Sequence, residues 1–83
     1  MKLGLYAPFN ASFPFILAPE CMQPSIACEH RYGQLRLVGT ITLADCIVQA
    51  IGDDISPTTG NIEYLVSCET AQARLEALME RAH

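Results

Sequence analysis

Tryptophan is absent from this 83-residue chain, lysine and arginine together number five, and charged residues make up 17%, below the usual quarter or so. With so few cations and no basic cluster, phosphate contacts are too scarce to hold nucleic acid. No apolar run approaches the roughly 20 residues that cross a bilayer, so no membrane partner is expected. The opening stretch MKLGLYAPFNASFPFILAPE begins like a secretory leader. However, Pro8, Asn10, Ser12 and Pro14 break the apolar centre that a leader needs. The expectation is a cytoplasmic protein whose N-terminal segment belongs to the fold, and NAS at 10–12 is read as a chance match to a glycosylation acceptor. A phosphate-binding glycine loop, a serine elbow and paired catalytic carboxylates are also missing. No enzyme and no cofactor are expected.

What the chain does have is apolar residues, 51% of the total. That argues against disorder, and the length suffices for one modest core. Residues 1–83 are expected to form a single compact α+β domain with apolar surface left over for a partner. The clearest helix start lies in TITLADCIVQAIGDD. Thr42 would cap it, with Asp45 at the third helical position and Ile41 stapled to Cys46. Leu43, Cys46, Ile47, Ala50 and Ile51 recur at helical spacing and Gly52 stands at the stop, which predicts a helix over 43–51. SCETAQARLEALMERAH predicts a second, capped by Ser67 or Thr70 and running close to the chain end. Its apolar face would hold Ala71, Leu75, Leu78, Met79 and Ala82.

Period-two alternation marks the strands. KLGLYA (2–7) would turn Leu3 and Leu5 inward, and GQLRLVGTI (33–41) would turn in Leu35 and Leu37. IEYLVSC (62–68) sets Ile62, Tyr64, Val66 and Cys68 against Glu63, Leu65 and Ser67. FPFILA (13–18) is a further candidate that Pro14 would confine to an edge or an entry position. Residues 33–67 read as a strand–helix–strand crossover with parallel strands. The expected architecture is a three- to four-stranded mixed sheet in the order β(β)βαβα. Both helices would pack on one face, leaving the other open as a docking surface or homodimer interface.

CMQPSIACEH (21–30) is the one stretch rich in reactive side chains. Zinc sites pair cysteines across two to four residues; six separate Cys21 from Cys28, and Cys46 and Cys68 are wanted for packing. This makes Cys21, Cys28 and His30 weak metal candidates, and no metal is expected. A reducing cytoplasm opposes a Cys21–Cys28 disulfide, and a Cys28–His30 nucleophile lacks a third group to orient it. Residues 19–29 are read instead as an irregular bridge pinned to the core by Cys21, Ile26 and Cys28.

Charge and aromatics point outward. Residues 1–40 carry +1 and residues 41–83 carry −5, and four of the six aromatics fall within the first fifteen positions. Asp53 and Asp54 follow a helix C-terminus, where negative charge is unfavourable. Aromatic anchors in an irregular segment suit an interface. Tyr6, Phe9, Phe13, Phe15, Asp53, Asp54 and Glu63 are therefore the candidate partner-binding residues, for a protein with a basic surface. The leading expectation is a non-enzymatic protein-binding module, an inhibitor or regulator. In size and acidity it resembles small inhibitors encoded by phages and mobile elements, anti-CRISPR proteins among them, a likeness that covers no motif. The alternatives are a dimeric domain sensing a small ligand, and a Cys/His metal-binding or redox protein.

Overall fold

A computed structural model describes residues 1–9, 15–20, 22–56 and 60–81. Strand β1 (Lys2–Pro8) is followed by β2 (Phe15–Pro19), α1 (Ile26–Tyr32), β3 (Leu35–Thr42), α2 (Asp45–Ile51) and β4 (Asp53–Asp54). Strand β5 (Tyr64–Val66), helix α3 (Glu69–Leu78) and strand β6 (Glu80–Arg81) complete it. The six strands form one sheet in the order β4-β5-β2-β1-β3-β6, and every neighbouring pair is antiparallel. The α+β class stands. The mixed sheet does not.

The reason is a short strand inside the 33–67 stretch expected to form a single crossover. Asp53 and Asp54 pair with Leu65 and Tyr64, so β4 receives the chain from α2 and β5 runs back beside it. Strand β3 is connected through α2 to β4, which points the same way; β5 is thereby reversed. The sheet's other edge was also unexpected. Helix α3 stops at Leu78 because Met79 turns extended (φ −70°, ψ 133°), and residues 80–81 pair with Gly39 and Thr40. Gly39 makes room for this: a Cβ there would meet the Glu80 carbonyl oxygen and stand 2.6 Å from Met79 Cγ.

Strand β1 lies at the centre. Its alternating Leu3, Leu5 and Ala7 are buried on one face with Phe15, Leu17, Ile41, Leu43 and Val66. Helices α2 and α3 cap this face with one fully buried residue each from the hydrophobic core, Val48 and Leu75. Strand β2 is inner rather than edge, held between β1 and β5; Pro14, expected to confine it, lies outside the described residues. Its run Phe15–Ala18 is buried throughout, as a strand covered on both faces must be.

The register of β3 breaks once. Leu5 pairs with Gly39 but Tyr6 with Leu37, so Val38 is the extra residue of a bulge. A one-residue insertion exchanges the two faces. Ile41 stays in the core, while Leu37, expected inward, is 46% exposed.

The supposed bridge at 19–29 is in part a helix. Ser25 caps α1 by accepting from the Cys28 N–H at 3.2 Å, and Gly33 ends it at φ 82°, ψ −175°, a conformation reserved for glycine. This helix lies on the face away from α2 and α3. There Pro24 and Glu29 approach Tyr6, Leu35 and Leu37, and Ile16 is fully buried. Three helices thus cover two faces, where two on one face were expected.

Candidate docking groove

The aromatic and acidic residues expected to gather at a surface are dispersed. Phe15 is 3% exposed and belongs to the core. Tyr6 is half-buried, its ring covering Gly4 beside Leu37, and burial pushes its hydroxyl pKa up. Phe9 stands 60% exposed, and Phe13 lies outside the described residues. Asp53 and Asp54 are exposed on β4; Asp54 Oδ1 accepts from the Ser56 N–H at 3.1 Å. Glu63, expected on an outer side, is fully buried.

The reactive side chains are equally scattered. Among the described residues no three His, Cys, Asp or Glu side chains converge as metal ligands. Cys28 is buried and free, Cys46 and Cys68 are exposed and free, and His30 is exposed on α1. Cys21 lies outside the described residues. Ile26, expected as a plug, is 73% exposed. The thiols differ chemically. Burial, then a hydrogen bond to the Glu63 carboxylate and its charge, push Cys28 up from 9.0 to about 12. The N–H groups of Ala71 and Thr70 face Cys68 at the start of α3 and hold its thiol below the ordinary value.

What the fold does bring together is apolar. Helix α2 was expected to bury Cys46, Ile47 and Ala50. Instead Val48 is its buried residue and those three are exposed. They form one wall of a groove of about 490 Å³ whose other wall is Ala71, Leu75 and Leu78 of α3, with Arg74 at its side. Ile47 is 45% and Leu78 56% exposed there. Each helix sits down on the sheet through a fully buried side chain, Val48 in α2 and Leu75 in α3, and the groove runs between them.

Reading periodicity could not locate this groove. DCIVQAI is apolar on nearly every side after its first residue, so two different stripes of α2 satisfy helical spacing. The signal that might have raised the question was surplus: more apolar positions on α2 than so short a helix can bury.

Among the described residues no helix is long and apolar enough to cross a membrane. No family model, curated protein or solved structure matches the chain.

Proposed function

We propose that the protein is a non-enzymatic protein-binding module, an inhibitor or regulator that works in the cytoplasm by receiving a partner's amphipathic helix between α2 and α3. The observation that carries this reading is the exposed stripe of α2, Cys46, Ile47 and Ala50, opposite Leu78 across an apolar groove. Contiguous apolar surface bordered by polar residues is the usual mark of a docking site, and a two-helix groove suits a helix that presents anchors at i, i+3, i+4 and i+7. Charge narrows the partner. Asp45, Glu69 and Glu76 are exposed on the same two helices, and residues 41–83 carry −5. A partner helix with lysine or arginine flanking its apolar stripe is complementary to that rim, and the charge also raises the encounter rate. Direct nucleic-acid contact is disfavoured by the same charge.

The test is capture from the native host followed by site-specific photo-crosslinking from position 46. A crosslinked partner, lost with Ile47→Asp and with Leu78→Asp in chains that keep their circular dichroism, supports the reading. Capture that survives both substitutions sinks it, as does a monomeric chain with no partner. Self-association through these residues would make a second copy the occupant.

A further inference from the structure

On the sheet face that carries α1, away from the groove, there is a second and smaller cavity. It holds about 190 Å³ and is lined by Cys28, Arg31 and Tyr32 from α1 and by Ile55, Ser56 and Glu63 from the segment joining β4 to β5. Glu63 is 0% exposed. Its Oε1 accepts from the Ser25 N–H at 3.1 Å, the Cys28 thiol lies against the carboxylate, and Oε2 has no donor in hydrogen-bond geometry. A buried carboxylate oxygen without a donor is costly, so this one is a place where a ligand's proton is wanted. Arg31 lies on the wall of the same cavity, its guanidinium 5.6 Å from the centre of the Tyr32 ring. The ion pair found among the described residues joins Lys2 to Glu20, so Glu63 and Arg31 line one small cavity without pairing with each other.

Two opposite charges that line one small cavity without forming an ion pair with each other select a ligand that carries both. We propose that the cavity binds a small free α-amino acid, its ammonium donating to Glu63 Oε2 and its carboxylate accepting from the Arg31 guanidinium. The Tyr32 ring and Ile55 supply the apolar wall for a short side chain. At about 190 Å³ the cavity has room for a ligand of few heavy atoms. A metal ion fits the site poorly, because hard cations need several oxygen ligands and the Cys28 thiol stays protonated at neutral pH. A simple anion would meet Glu63. The inference stands independently of the groove, which lies on the opposite face.

The experiment is thermal shift and calorimetric titration of the full chain with the natural amino acids, each as the free zwitterion, the N-acetyl derivative and the amide. The expected result is a raised Tm with one or more small apolar amino acids, and at least about tenfold weaker binding when either end is capped. Glu63→Gln, which keeps the shape and the acceptor for Ser25, and Arg31→Gln, at an exposed position, should each lose about the same factor. Ligand-induced NMR shifts should fall within residues 25–32 and 55–63. The proposal is overturned if no free amino acid raises Tm, if capped forms or a plain alkylamine bind as well as the zwitterion, or if Arg31→Gln leaves affinity unchanged. The Arg31 variant decides the matter even if Glu63→Gln fails to fold.

Discussion

The two faces of the sheet are held by different means. One is packed mainly by aliphatic side chains: Leu3, Leu5, Leu17, Val48 and Leu75 are all fully buried. The other is tied by a polar joint, in which a carboxylate from position 63 takes the N–H of Ser25 while the Ser25 hydroxyl takes the N–H of Cys28. The first scheme tolerates swaps of similar volume. The second fails if one atom is lost, because a buried polar group is left alone. The comparison teaches that the apolar face carries the domain's stability and the α1 face is attached to it.

The sharpest way to break that division is from the apolar side. Leu5→Ala, at the centre of β1, is expected to cost about 3 kcal/mol by cavity formation and to lower the urea midpoint of the entire chain. Gly39→Ala should cost about 2 kcal/mol, since the added methyl meets Glu80 and Met79 and backbone must shift. Loss of amide protection at residues 80–81 would identify the detachment of β6.

The α1 face should give smaller and more local effects. Ser25→Ala removes a helix cap and should cost about 1 kcal/mol; amide exchange should accelerate in α1 while β1 keeps its protection. If β1 loosens equally, the two faces are one unit and the division is wrong. Alkaline titration probes the same joint. Cys28 keeps its proton up to about 12 in the folded chain, against 9.0 in the unfolded one. Its contribution is therefore intact below pH about 9 and is lost as pH rises towards 12. Denaturation midpoints should fall across that interval, and Cys28→Ser should flatten the fall. The opposite sign holds for Cys68, whose lowered thiol favours the folded state at high pH and loses that advantage as pH falls through its folded value. In native thiol labelling, among the described cysteines, Cys68 should therefore react first, Cys46 after it and Cys28 only on opening. Ile47→Asp is expected to have the least effect on stability, about 0.5 kcal/mol, because nearly half of Ile47 is in solvent and none of the fully buried core is disturbed.

Much of the apolar side was legible from residue pattern. Leu3 and Leu5 alternate, Leu75 sits on a regular helical face, and strands at 2–8 and 35–42 and helices at 45–51 and 69–78 all lie close to where periodicity puts them. What failed were the features set by tertiary partners. Asp53–Asp54 has no apolar pattern and becomes a strand only because β5 lies beside it. The bulge at Val38 leaves no trace in composition, yet it decides which side Leu37 faces. Helix α1 has its signals, Ser25 before it and Gly33 after, but its seven residues are too few for a helical period to stand out. Glu63 shows the limit most clearly. By alternation it belonged to the outside, and only a helix N-terminus from 38 residues earlier makes its burial tenable.

That long reach of Glu63 also bears on the order in which the molecule forms. A seven-residue helix is too short to persist alone in water, and the acceptor for its Ser25 N–H lies downstream, beyond β3, α2 and β4. Helix α1 should then be among the last elements to consolidate and the first to open, a separate unit in native-state exchange with a free energy below that of the sheet. Its openings would expose Ile16, Cys28 and Glu63 together, for moments set by the lifetime of one carboxylate contact.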